Sequence, residues 1–130
     1  MSYGMVIDTL KCVGCSDCVV ACQTENKIPI GLCRDWVVQT VKGKYPSVDI
    51  EFRSERCNHC ENAPCMDACP IDGAIYRRSD GLVIIDSVKC NGCRNCLDVC
   101  PYDVIFYNDD LNLAQKCTGC AHLLDDGWKE

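Results

Sequence analysis

The apolar residues of this chain fall in short runs beside cysteine loops. Residues 4–8 (GMVID) and 82–86 (LVIID) are brief, β-branched runs just ahead of such loops, and both are predicted as strands. Residues 74–85 (AIYRRSDGLVII) read as a hairpin, with Ser79-Asp80-Gly81 supplying the turn. Residues 104–115 (VIFYNDDLNLAQ) form its counterpart, turning near Asn108-Asp109-Asp110. A further hairpin is predicted over residues 35–53, where Trp36, Val38 and Thr40 alternate with Val37, Gln39 and Val41, and Gly43 lies in the bend. Short helices are predicted to start near Asp17, Met66 and Asn95. Pro70 and Pro101 stop the latter two, because proline lacks the N–H a helix needs; the first runs on to Asn26, before Pro29.

The chain repeats itself. Ile7–Cys22 aligns without gaps on Ile85–Cys100, both reading Ile-Asp-Thr/Ser-x-Lys-Cys-x-Gly-Cys-x-x-Cys-x-x-x-Cys. A second echo links Cys69, Pro70, Asp72 and Tyr76 to Cys100, Pro101, Asp103 and Tyr107 at identical spacing. The unit is a strand, a cysteine loop, a short helix, then proline and another strand.

Composition sharpens this reading. Fifteen of 130 residues are cysteine, while Phe and Trp number two each, so the apolar core is thin and cross-links must help hold the fold. MSYGMVIDTLKC has no basic n-region and no long apolar stretch, so neither a signal peptide nor a membrane span is expected. A disulfide scaffold therefore fits poorly, and the odd cysteine count suits pairing no better. The formal net charge of −6 argues against a nucleic-acid partner. The expected location is cytoplasmic by default.

Four cysteine groups follow: Cys12, Cys15, Cys18 and Cys22; Cys57, Cys60, Cys65 and Cys69; Cys90, Cys93, Cys96 and Cys100; and the pair Cys117 and Cys120. The third, followed by Pro101, matches the bacterial ferredoxin run C-x2-C-x2-C-x3-C-P. Thiolates two residues apart on a tight loop can wrap one face of a cubane. Gly14 and Gly92 let the backbone close in and aim N–H groups at sulfide. The fourth cysteine reaches the neighbouring cluster, so paired runs exchange their last ligands. This binds one inner 4Fe–4S cluster with Cys57, Cys60, Cys65 and Cys100, and another with Cys90, Cys93, Cys96 and Cys69. Structural zinc is the rival, but it favours C-x2-C pairs and leaves the fourth cysteines without a role.

The first group can pair only with the terminal one. Cys22 joins Cys117 and Cys120 at one outer site; Cys12, Cys15 and Cys18 form the other, and each is one thiolate short. Three fates stay open for these sites: 3Fe–4S clusters, a thiolate borrowed from Cys33 or another chain, or no cluster. The predicted fold is α+β, with two nested ferredoxin-like modules of short strands, hairpins and short helices around clusters. Residues 1–50 open the outer module, residues 51–106 form the inserted two-cluster module, and residues 107–130 return to the outer one.

MVIDTLKCVGCSDCVVACQTEN, RSERCNHCENAPCMDACP, KCNGCRNCLDVCPYDVI and AQKCTGCAHLLDDG resemble the four-cluster iron–sulfur subunits of molybdopterin oxidoreductases, over essentially the whole chain. That group includes the electron-transfer subunits of dimethyl sulfoxide, polysulfide, thiosulfate and arsenate reductases. The last segment is also similar to the small subunit of pyrogallol–phloroglucinol transhydroxylase. The family's fourth run ends with two further cysteines, so by this pattern the chain is C-terminally incomplete. The resemblance implies a large catalytic partner carrying molybdenum or tungsten on a pyranopterin, in some relatives a quinone-reactive membrane subunit, and export alongside a signal-bearing partner.

No nucleophile–base pair, phosphate loop, or flavin or nicotinamide fingerprint is present, so the chain is not expected to be an enzyme on its own. It is expected to relay single electrons; the alternative is a free-standing multi-cluster ferredoxin shuttling between soluble enzymes. Cys33 is expected to be a small buried hydrophobe. His59 is expected to donate a hydrogen bond near a cluster or to sit at the surface, rather than to ligate. His122 lacks the second histidine box of a Rieske centre. Trp36 is assigned to hairpin packing and Trp128 to no role. Arg77, Arg78, Lys42 and Lys44 are read as solvated loop tips.

Overall fold

The structure is a computed structural model that describes residues 3–127; Trp128 lies outside them. It is a small α+β fold. In chain order its elements are α1 (Asp17–Asn26), β1 (Asp35–Lys44), β2 (Ser47–Arg56), α2 (Pro64–Asp67), β3 (Ile75–Arg77), β4 (Val83–Ile85), α3 (Asn95–Asp98), β5 (Ile105–Asn108), β6 (Leu113–Lys116) and α4 (Ala121–Asp125). Among the described residues the strands form three antiparallel pairs: β1 with β2, β3 with β4, and β5 with β6. Two compact units result, Val6–Arg56 and a second running from Cys57 onward with residues 3–5. No helix of the described residues is long and apolar enough to cross a membrane.

In the unit from Cys57 onward, the two hairpins predicted from sequence form as expected. Ile75 pairs with Ile85, and Ile105 with Lys116. Their inward positions make the core: Ala74, Ile75, Leu82, Val83, Val104, Ile105, Leu113 and Ala114 are all buried, together with Cys65 and Cys96. The helices are single turns. α3 begins at Asn95, as predicted. α2 begins at Pro64 rather than near Met66, because a proline at the first helical position is pre-set for a helix start. Both stop before their prolines. α4, which the pattern had not indicated, is tied down by Arg78, whose guanidinium grips the Asp125 carboxylate through two nitrogens at 2.9 and 2.6 Å.

The unit Val6–Arg56 has little apolar core. Ile28 is its buried hydrophobe, and its other buried side chains are the polar Asp35 and Ser54. α1 spans Asp17–Asn26, as the proline spacing indicated, and buries none of its residues. The β1–β2 hairpin reverses at Tyr45–Pro46, joined by a cis peptide bond, and Gly43 lies just before the turn, opposite Val48. Trp36, near the hairpin base, is half-buried.

Residues 4–8 differ from expectation: they are not a strand. The matching run, residues 82–86, has β3 beside it as the other arm of a hairpin. Among the described residues no strand pairs with the first run, and backbone groups left without a ladder do not form a strand. Val6 and Leu10 stand in solvent.

Candidate iron–sulfur centres

The second and third cysteine groups sit where hairpin ends and one-turn helices meet. Cys57, Cys60, Cys65 and Cys100 line one recess, with Ala63, Val83, Val104 and Ile105 on its apolar walls. The last thiol of the third run thus stands with three thiols of the second. Cys65 is buried, which pushes its thiol pKa up; the nearby Lys116 ammonium pulls it down, and Cys57 and Cys100 push it up again.

The third loop has its own thiol cluster. Burial is the main cause that pushes Cys96 up to about 11, and the neighbouring Cys90 and Cys93 add to it. Gly92 bends this loop at φ +73°, with the Asn112 carbonyl and the Tyr107 hydroxyl crowding the place where a Cβ would project. Arg94 covers the Tyr107 ring, 3.7 Å from its centroid. Asn95, at the start of α3, donates to the carbonyl of Ala68 at 3.4 Å, so the turn that carries Cys69 adjoins the third run. The Cys69 thiol itself donates to the Ile71 carbonyl at 3.6 Å.

In the second run His59 occupies the place that Gly14, Gly92 and Gly119 hold in the others, before the second cysteine, and like them it has positive φ, +45°. Its Nδ1 accepts from the Val83 N–H at 3.0 Å, so the neutral ring carries its proton on Nε2. That Nε2 is buried without a hydrogen-bond partner and lies 3.6 Å from the position of a Cβ on Gly119, in the fourth run. Burial first, and then Lys116, lower the His59 pKa to about 4.

The first run rests on the base of its hairpin. Cys18 Sγ lies 3.6 Å from Ser54 Oγ, and Asn26 Nδ2 lies 3.6 Å from Cys22 Sγ. Cys22 also bonds the buried Asp35, whose pKa burial raises despite Arg56 nearby and the Cys22 bond. Cys12 is half-buried and Cys15 exposed. In the fourth run the Gly119 N–H donates to Cys117 Sγ at 3.3 Å, and Cys120 is half-buried. His122 is exposed on α4. Cys33 is half-buried rather than buried.

The sequence matches the 4Fe–4S dicluster domain over residues 48–130, a span that takes in the second, third and fourth cysteine groups. The chain belongs to that family. The dicluster chain is 42% identical over 139 residues to the pyrogallol hydroxytransferase small subunit of Pelobacter acidigallici, covering 95% of this chain and 48% of the relative. It is 40% identical over 127 residues to a tetrathionate reductase subunit of Salmonella typhimurium, covering 96% and 50%. It is 36% identical over 156 residues to a putative iron–sulfur subunit of dimethyl sulfoxide reductase from Halobacterium salinarum, covering 97% and 59%. The chain spans about half the length of these relatives.

The inner recess of the dicluster chain suits a 4Fe–4S group. Its donors are four thiols, its walls are apolar, and backbone N–H groups point at sulfur, as His59 N does toward Cys57 Sγ at 3.4 Å. Among the described residues no three His, Cys, Asp or Glu side chains are grouped as one metal ion needs. Thiols with pKa values pushed up by burial must shed protons to ligate, so cluster assembly releases protons and adds to folding.

Sequence reasoning missed three residues that lie beside cysteine runs. Lys116 is only 2% exposed and donates to Cys57 Sγ at 3.3 Å. Asp35 is 3% exposed beside Cys22. Arg77, read as a solvated tip, donates to the carbonyls of Cys60 and Glu61 at 2.5 and 2.6 Å and so fastens the second cysteine loop. A Lys-Cys pair opens the first, third and fourth runs, but only strand pairing shows that the last of these lysines points inward.

Proposed function

We propose that this chain is an electron-transfer subunit that passes single electrons to or from a larger catalytic subunit. The convergence of Cys57, Cys60, Cys65 and Cys100 on one recess carries the reading. Only crossed ligation between two runs makes a four-thiol set there, and crossed runs hold two clusters close together. The second inner cluster is assigned to Cys90, Cys93, Cys96 and Cys69. The outer sites are assigned to Cys12, Cys15 and Cys18, and to Cys22, Cys117 and Cys120, which makes the whole a pair of nested ferredoxin-like modules. A cubane saturated by thiolates offers substrate no open position, so on this reading the chain performs no catalysis alone.

The partner is inferred from the relatives. Their names describe subunits of a hydroxytransferase and of tetrathionate and dimethyl sulfoxide reductases. We assign the partner as a large molybdenum or tungsten subunit with a pyranopterin, and a quinone-reactive membrane subunit as a further component in some assemblies. An oxidised 4Fe–4S cluster with four thiolates carries about −2, so loading deepens the acidity of a chain already at −6 and favours a basic docking face on the partner.

The test is anaerobic purification from native extract, with iron, acid-labile sulfide and molybdenum or tungsten assayed across a gel-filtration profile. Iron and sulfide co-eluting with a large subunit that holds molybdenum or tungsten supports the proposal. A small iron–sulfur protein eluting alone would make the chain a free shuttle, and zinc without sulfide would overturn the cluster reading.

A further inference from the structure

The buried Lys116 is unusual chemistry for a chain of this size. It sits on β6, opposite Ile105, with 2% of its surface exposed. Its ammonium donates to three atoms: the Val83 carbonyl, the Cys117 carbonyl at 3.2 Å and Cys57 Sγ at 3.3 Å. Of these, only the sulfur can carry negative charge. A buried ammonium without a counter-ion is strongly destabilised, so the position calls for an anion at Cys57. Lysines in the same place before the first and third runs answer no such demand, because Lys11 and Lys89 are exposed. Among the described residues Lys116 is the buried cationic side chain, set in the wall of one inner cluster site, whereas Arg94 in the loop of its sister is exposed.

We propose that Lys116 is a fixed counter-cation that raises the reduction potential of the cluster held by Cys57, Cys60, Cys65 and Cys100 above that of the cluster held by Cys90, Cys93, Cys96 and Cys69, making the first the electron-rich station of the relay. This rests on the inner sites holding 4Fe–4S clusters. One-electron reduction adds one negative charge to a cluster and moves no proton here. An ammonium in hydrogen-bond contact with a ligand sulfur favours the more negative, reduced form. The apolar walls keep water from screening that charge. The same ammonium donates to the Cys117 carbonyl and so links the recess to the fourth run, which makes Lys116 a positioning residue as well.

The test is an EPR-monitored redox titration of the full chain, purified anaerobically with its clusters, with dithionite supplying the electrons. Iron and sulfide per chain are measured first. In Lys116→Met, one cluster should become harder to reduce by at least tenfold in its equilibrium, about 59 mV, while the other inner cluster stays within threefold. Lys116→Arg, which keeps the charge, should stay within threefold at both, and Lys89→Met should shift neither. Unchanged midpoints in Lys116→Met at full iron content would overturn the proposal. If Lys116→Met binds no inner iron, Lys116→Gln is compared with Lys116→Arg. Iron retained only by the Arg variant supports a need for charge, and iron lost from all three assigns Lys116 to packing instead. Wild-type chain without iron and sulfide would sink the cluster reading itself, which separates the two failures.

Discussion

Replacing Gly92 with alanine tests whether the third cysteine loop is as tightly cradled as the structure indicates. Two terms act. An alanine at φ +73° pays the left-handed penalty, about 1–2 kcal/mol. Its Cβ would also sit 2.5 Å from the Asn112 carbonyl oxygen and 2.8 Å from the Tyr107 hydroxyl. Backbone cannot swing aside as a side-chain tip can, so overpacking adds about 1–3 kcal/mol. Reduced freedom in the unfolded chain returns about 0.4–1 kcal/mol. Gly73→Ala is the control. Its φ is +67°, but its nearest obstacle is the Lys89 ammonium at 3.0 Å, the end of a flexible side chain. The difference between the two variants isolates crowding. At a guanidinium slope of about 4 kcal/mol per M, Gly92→Ala should unfold about 0.25–0.75 M earlier than Gly73→Ala, followed by loss of the cluster's visible absorption. Equal midpoints for the two variants would refute the cradle.

Three further outcomes are expected. Arg77→Met removes the donors that hold the Cys60 and Glu61 carbonyls; it should cost about 1–2 kcal/mol and speed iron loss to a chelator, with unchanged loss counting against the tether. Arg78 holds Asp125 and Asp80 below their ordinary 3.8 through side-chain hydrogen bonds. A carboxylate whose folded pKa is depressed stabilises fully above its unfolded value and loses that effect as pH falls through the folded one. Amide protection in α4 should therefore exceed that of Arg78→Met at neutral pH and converge with it as pH drops below about 3.8, and a gap that persists in acid would contradict the pairing. Cys33→Ala should leave iron and sulfide per chain unchanged; a loss would make Cys33 a ligand.

Much of this arrangement can be read from the chain. The hairpins around Asp80 and Asp110 declare themselves by short β-branched runs flanking turn residues, and α1 and α3 start where the repeat places them. Periodicity reports local pairing well because each partner is near in sequence. The run at residues 4–8 misled for the same reason: it matches residues 82–86 in composition, and composition says nothing of whether a second strand lies alongside. The cysteine groups are legible because their spacing is written in the chain, and the structure sets four of these thiols around one recess. Lys116 and Asp35 are not, since a charged residue is ordinarily solvated, and only strand register and tertiary burial turn these two inward. His59 had a signal that spacing alone does not read: it occupies a position that is glycine in each of the other three runs.

The central claim is that the cysteine runs exchange their fourth ligands. Iron anomalous diffraction from anaerobically grown crystals reads this directly. The account predicts Cys100 Sγ bound to the same iron group as Cys57, Cys60 and Cys65, with Cys69 Sγ on the group held by Cys90, Cys93 and Cys96. Iron bound by Cys100 together with its own run, or single zinc ions at these thiols, would contradict it.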